Sequence, residues 1–351
     1  MVAISDSESD RSLMARRATP WLVLLVIAMS ALSLGTGASG VSALATVGDW
    51  MMGREVALRD SVVLLDIRLP RLAMGLMVGA ALAVSGAVMQ GLFRNPLADP
   101  GLVGVGAGAG LGAVSAFVLG AMLPLWVQDI VGNHLVALAA FLGGWCSTML
   151  LYRIATRAGQ TSVATLLLAG IALGALAGAL TGILIYMASD QQLRDLTFWG
   201  MGSLSGGSWT KIITAAPLIL PTLLLAPLLG RGLNALALGE AAASHMGLEV
   251  QRLKLLAILA VAAATGAAVA VAGSIGFIGI VVPHLLRLAF GADHRWLLPH
   301  AALLGAALLV GADVIARLIV APAELPIGIV TACIGAPVFL WILLRRAKGE
   351  F

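Results

Sequence analysis

The chain has 351 residues, of which 60% are hydrophobic and 11% charged, and its formal net charge is +4. Soluble domains are charged at about a quarter of their positions, so a mean hydropathy of +1.02 excludes a soluble domain and puts the chain in a bilayer. The pI near 9.6 follows from how Lys and Arg are distributed about membrane segments and gives no ground for nucleic-acid binding.

Residues 1–17 are polar with mixed charge, and a disordered tail is expected there. Arg16 and Arg17 precede an apolar run that is long and lacks a convincing cleavage site, so it reads as a first span rather than a cleaved signal peptide. A crossing needs about 20 apolar residues. Ten charge-poor stretches approach or exceed that: 19–40, 72–93, 101–124, 131–152, 163–188, 212–230, 253–272, 275–290, 297–318 and 326–344. The eighth is the weakest, because it is short and Pro283, His284 and Arg287 interrupt it. Residues 18–351 therefore form one membrane domain. Ten spans put both termini on one side. A cytoplasmic placement leaves only Arg54, Arg59, Arg68, Arg71, Arg194, Lys211 and Arg317 outside, out of 21 Lys and Arg in all, as the positive-inside rule favours.

The second span runs into Asn95-Pro96-Leu97-Ala98-Asp99-Pro100, where the helix must break and restart. Residues preceding proline are pushed off the helical region, and Asp99 is placed to cap a new helix with Pro100 in its first turn. Such a break at membrane depth needs protein or a water-filled cavity around it; an ordinary loop between two spans is the competing reading. The run Ala83-Val84-Ser85-Gly86 with Pro96 ten residues on is echoed by Ala270-Val271-Ala272-Gly273 with Pro283 ten on. Spans two and seven would run in opposite directions, which hints at an inverted repeat, against chance similarity of Ala/Val/Gly-rich helices. Gly170, Gly174, Gly178 and Gly182 recur every four residues, and Gly75 with Gly79 and the series from Gly104 to Gly112 follow the same small-residue logic of close helix packing. That series lacks the Gly-Lys-Ser/Thr ending of a phosphate loop.

Chemistry is sparse. Asp313 and Arg317 stand four apart and are expected to pair along one helix face near a membrane surface. His134 and His284 are lone histidines, Cys146 and Cys333 read as small core residues, and no cluster has metal-ligand spacing. With neither a Walker A segment nor a nucleophile motif, no catalytic site and no cofactor are expected, and energy for transport must come from elsewhere. The loop 231–252 contains a helix-forming stretch, 236–246, with Gly239 and Gly247 as breakers, suited to lie on the membrane surface and dock in another protein's groove. A plain surface loop is the alternative.

Four blocks, 68–104, 237–248, 273–287 (GSIGFIGIVVPHLLR) and 321–346, resemble the FecCD-type permeases, the membrane subunits of ABC importers for ferric siderophores, haem and vitamin B12. The resemblance covers nearly everything after residue 20. It implies an all-α fold like that of the vitamin B12 permeases, with ten membrane helices per subunit. It also implies a homodimer in the bacterial inner membrane with its pathway at the dimer interface, two ATPase subunits inside and a periplasmic binding protein outside. Carried over by residue, Arg68, Arg71 and Arg317 match basic sites that receive acidic residues of the binding protein. Gly239, Glu240, His245 and Gly247 match the segment held by the ATPase. Asn95, Leu97, Thr161, Ser162 and Val163 match positions that narrow the inner end of the pathway, although Val163 and Ala164 depart from the more continuous Ser/Thr run of the family. Residues 186–204, with the Asp-Gln-Gln-Leu-Arg run at 190–194, look most like haem permeases, so haem is the expected cargo and a siderophore or cobalamin the alternative. An ion-driven secondary transporter is a distant rival, disfavoured by the lack of paired buried carboxylates.

Overall fold

The computed structural model describes residues 2–37, 40–158 and 160–347. Met1, Ala38, Ser39, Gly159 and residues 348–351 lie outside the described residues, and with them Lys348 and part of the end expected for span one.

The described chain is helical almost throughout. The helices are α1 (Val2–Gly35), α2 (Ala43–Met51), α3 (Leu58–Val62), α4 (Leu69–Leu92), α5 (Val105–Leu119), α6 (Leu125–Val131), α7 (Leu135–Ala155), α8 (Val163–Met187), α9 (Asp190–Gly200), α10 (Trp209–Ala237), α11 (Glu240–His245), α12 (Val250–Ala272), α13 (Ile278–Phe290), α14 (His294–Ile319) and α15 (Ile327–Ala347). Two-residue strands β1 (Thr156–Arg157) and β2 (Gln160–Thr161) pair antiparallel in a hairpin between α7 and α8. Eight helices are long and apolar enough to cross a membrane, and 278–290 and 327–341 are shorter apolar helices. These ten segments match the ten expected stretches. At about 1.5 Å per residue, the 13 residues of α13 cover about 20 Å of a hydrocarbon core about 30 Å thick. The non-helical residues 273–277 before it make up part of the difference.

Three expectations are corrected. The first helix starts at Val2 rather than after a disordered tail; residues 2–17 contain neither Gly nor Pro, so nothing in the local sequence stops the span's helix from extending backward. The helix between Gly239 and Gly247 covers only Glu240–His245, because Leu236 and Ala237 still belong to α10. Cys146 and Cys333 are exposed rather than in the core.

Helix α4 is the axis of the fold, buried along nearly its whole length and packed against α10, α12, α13 and α14. Glycine makes this possible. A Cβ added to Gly79 would stand 2.4 Å from the Gly305 carbonyl oxygen of α14, and one on Gly86 would stand 1.8 Å from that of Gly279 in α13. Gly108 and Gly112 do the same for α5 against α7, at 2.3 and 2.0 Å from the Gly143 and Ala139 carbonyl oxygens. The two echoed segments differ locally, Gly86 lying mid-helix and Gly273 just past the end of α12 at φ +72°. They nonetheless pack together, since Gln90 of α4 donates to the Gly279 and Ile280 carbonyls and accepts from Arg287.

Helix α8 behaves differently. Of its 25 residues only Leu166 and Ala177 are buried, and nothing lies within 4 Å of a Cβ added to Gly174, Gly178 or Gly182. The close packing expected of that stripe is not made at these three glycines within the described chain.

Candidate functional site

The sequence-predicted residues gather at opposite ends of the bundle. At one end a π-helical turn, Val63–Arg68, leads into α4 and carries Arg68 to the carboxy end of α1, where its guanidinium donates to the Leu34 carbonyl. Arg71, one turn on, reaches across to α14 and to the loop before α15. Its Nε and Nη2 donate to Asp313, the shortest contact being 2.8 Å, and its Nη1 donates to Glu324 at 2.8 Å. Arg317 pairs with Asp313 at 3.1 Å across one turn and donates to the Ser33 and Thr36 carbonyls and the Ser33 hydroxyl.

The expected Asp313–Arg317 pair therefore exists, inside a larger clasp that ties α1, α4, α14 and the loop before α15. Arg68, Arg71 and Arg317 are only 5%, 9% and 8% exposed. Asp313 and Glu324 pair with Arg71, Asp313 also pairs with Arg317, and Arg68 donates to the Leu34 carbonyl beside them. Beside this clasp, α9 opens with a capping box in which Ser189 and Gln192 satisfy each other's backbone N–H groups. Gln192 also donates to the Phe117 carbonyl at 2.8 Å, tying α9 to α5. A cavity of about 530 Å³ opens there between Trp199, Lys211 and Glu324.

At the other end α4 stops at Phe93. Arg94 turns at φ +50°, and Asn95 closes the break by accepting from the Leu97 N–H at 3.0 Å. Asp99 accepts from the Gly101 N–H at 2.7 Å and caps a short 3-10 turn, Pro100–Val103, before Gly104 at φ +77° admits α5. This break is the expected one, with a 3-10 turn as the restarted element. Burial pushes the Asp99 carboxyl above its ordinary value, and the Gly101 N–H offsets part of the rise.

The hairpin stands against this break. Ser162 caps α8, accepting from the Thr165 N–H at 3.2 Å, and the Thr156 and Thr161 hydroxyls bond at 3.0 Å. Two side chains of α12 take both backbone groups of Thr161: Gln251 accepts from its N–H at 3.0 Å, and Lys254 donates to its carbonyl at 2.8 Å. Lys254 also pairs with Glu240 of α11 at 2.8 Å, and its side chain is 1% exposed. Thr161, Ser162, Val163 and Glu240 line a cavity of about 910 Å³ together with Phe93, Arg94 and Arg157.

Four of the expected gate and coupling residues thus share one cavity. Asn95 and Leu97 form the break beside it. His245 is exposed at the end of α11, and Gly239 and Gly247 bracket that helix at φ +107° and +82°. Sequence reasoning counted Lys254 only as a cytoplasmic cation; the signal it missed was an ionisable residue in the first turn of an apolar span.

A third set of polar contacts joins α10 to α14 at this same end. Asn234 donates to Asp293 at 2.6 Å and accepts from the His294 N–H at 2.9 Å, and Arg295 pairs with Asp293 at 2.7 Å. Burial acts to raise the Asp293 carboxyl, but the bonds from Arg295 and Asn234 outweigh it and hold the group below its ordinary value. Among the described residues no group of three His, Cys, Asp or Glu is arranged to hold a metal ion.

Comparison with known proteins covers nearly the whole chain. The model of the FecCD transport family matches residues 23–345. The chain is 47% identical over 331 residues to the hemin transport system permease protein HmuU of Yersinia pestis, covering 93% of this chain and 95% of that one. It is 45% identical over 337 residues to the vitamin B12 import system permease protein BtuC of Salmonella typhi, covering 95% and 97%. A solved structure described as an inward-facing conformation of a metal-chelate type ABC transporter is similar with a TM-score of 0.82 and 32% identity, covering 94% of this chain and 99% of that one.

Proposed function

The chain belongs to the FecCD transport family, and on that premise we propose that it is the permease subunit of an ABC importer that moves haem, or a related iron chelate, from the periplasm to the cytoplasm. The observation that carries this reading is the end-to-end similarity to a hemin permease. The Asp-Gln-Gln-Leu-Arg run at 190–194, now on α9 beside the 530 Å³ cavity, inclines the cargo toward haem. A vitamin B12 permease is nearly as similar, so cobalamin is the second reading, with a ferric siderophore after it.

The working unit is a homodimer with two ATPase subunits and a binding protein. The open face of α8 supports the dimer, because its glycines are free to accept the backbone of a second copy. The arginine clasp faces the periplasm, the hairpin end and both termini face the cytoplasm, and the membrane is the bacterial inner membrane. Arg68, Arg71 and Arg317 put guanidinium groups at the periplasmic end, which receive acidic residues of the binding protein; that docking weakens with salt. Gly239, Glu240, His245 and Gly247 present α11 to the ATPase. Asn95, Leu97, Thr161, Ser162 and Val163 narrow the inner end of the pathway.

The chain has no catalytic role of its own. ATP binding by the partner moves α11, and the pathway passes from outward to inward access. The cargo is tested by reconstituting the complete importer in proteoliposomes and measuring ATP-dependent uptake of haem, a ferric siderophore and cobalamin in parallel. Haem is expected to be taken up in preference; preferential uptake of cobalamin or the siderophore contradicts the haem assignment.

A further inference from the structure

Resting on the reading of α11 as the segment moved by the ATPase, we propose that Lys254 is the positioning residue that passes the motion of α11 to the hairpin before α8. A fully buried ammonium among apolar helices is costly and persists only with partners for its charge and its donors. The partners here sit on two different elements. Lys254 Nζ lies 2.8 Å from Glu240 Oε1, the first residue of α11, and 2.8 Å from the Thr161 carbonyl oxygen, the last residue of the hairpin. Gln251, three residues earlier on the same face of α12, accepts from the Thr161 N–H. Both peptide groups of Thr161 are therefore held from α12.

The two elements are built to move. Gly239 and Gly247 flank α11 in left-handed conformations, and Ala243 is the one buried residue of that six-residue helix. Glu240 and Ala243 therefore tie α11 to the bundle, and the Glu240 tie ends on Lys254. The hairpin has two-residue strands, turns through Ala158 at φ +50°, and lines the same cavity as Glu240. A displacement of α11 that pulls on Glu240 acts on an ammonium whose other contact is the hairpin backbone, so the three groups shift as a unit. An uncharged side chain of similar length fills the same space and transmits nothing.

The test uses the complete importer in proteoliposomes, with ATP hydrolysis, cargo uptake and the distance between spin labels at position 160 of the two copies as readouts. For Lys254→Met, assembly and ATP hydrolysis are expected to survive, while uptake per ATP hydrolysed falls about tenfold, the scale of an ordinary coupling free energy, and nucleotide no longer changes the label distance. Lys254→Arg is expected to restore most of both. A Lys254→Met importer with normal uptake per ATP, or one in which hydrolysis and uptake fall in proportion while nucleotide still moves the labels, overturns the proposal. If Lys254→Met does not assemble, Glu240→Gln decides, since it keeps the lysine and its Thr161 contact: lowered uptake per ATP is expected, and unchanged uptake overturns the proposal. A wild-type importer that takes up no chelate with ATP overturns the functional reading and this proposal together, whereas a working wild type beside an unimpaired variant overturns this proposal alone.

Discussion

Asp313 holds Arg71 and Arg317 at once, with its own side chain 4% exposed. Removing one partner of a buried pair leaves an uncompensated charge and costs about 3–5 kcal/mol. Asp313→Asn strands two guanidiniums and is expected to lower the melting temperature in detergent markedly. Glu324→Gln is expected to cost about 1 kcal/mol or less, because that partner is one-third exposed and water screens it. Equal losses in the two variants contradict the ranking. Asp293 adds a pH dependence. Its folded pKa is depressed, so its stabilisation is complete above the ordinary carboxylate value, about 3.9, and is lost as pH falls through the lower folded value. Thermal unfolding of Asp293→Asn is expected to depend less on pH at the acid end than that of the wild type; identical pH profiles contradict it. At this scale the sequence revealed pairs that are local. Asp313–Arg317 was legible because four residues along a helix are neighbours. Arg71–Asp313 and Lys254–Thr161 were not, because 242 and 93 residues separate the partners and only the packing of α4 on α14, and of the hairpin on α12, brings them together.

Among the elements, glycine spacing meant two different things that look alike in sequence. Gly79, Gly86, Gly108 and Gly112 lie against the backbone of a neighbouring helix, whereas Gly174, Gly178 and Gly182 meet nothing in their own chain. Overpacking a well-packed contact costs about 1–3 kcal/mol or more, and at Gly86 the obstacle is backbone that cannot rotate away. Gly86→Ala is therefore expected to reduce the yield of folded protomer. Gly178→Leu is expected to leave the protomer folded but shift it from dimer to monomer in detergent, as read by light scattering. A stable dimer of Gly178→Leu contradicts the interface assigned to α8. The ten membrane segments were legible from hydropathy because lipid forces every backbone group to be satisfied within a helix. Less was visible in α1 and α11, where helix length depends on whether anything stops the helix: Val2–Gly35 runs on for lack of a breaker, and α11 is cut short because α10 extends past Leu236. The exposure of Cys146 and Cys333 escaped notice for a related reason, since an apolar residue on a membrane helix faces lipid or a second copy as readily as the core.

As a whole the molecule is a bundle with a charged clasp at one end and a hairpin, the short helix α11 and a buried lysine at the other. The middle, along α4 and α12, is packed with small apolar residues and shows no paired buried carboxylates of the sort a proton-driven carrier uses. The buried ion pairs among the described residues, Arg71–Asp313, Arg317–Asp313 and Lys254–Glu240, lie at the two ends. The four sequence blocks that carry the family resemblance form the arginine turn entering α4 with the break at Asn95 (68–104), α11 (237–248), most of α13 (273–287), and the loop before α15 with most of α15 (321–346). In the proposed assembly two copies of this chain form a conduit that does no work unaided. The most direct measurement places the chain in proteoliposomes with its binding protein, with and without the ATPase subunits, and follows haem accumulation against a gradient as ATP is supplied. Accumulation is expected only when the ATPase subunits and hydrolysable ATP are both present; accumulation without them, driven by an ion gradient or by nothing added, contradicts the claim.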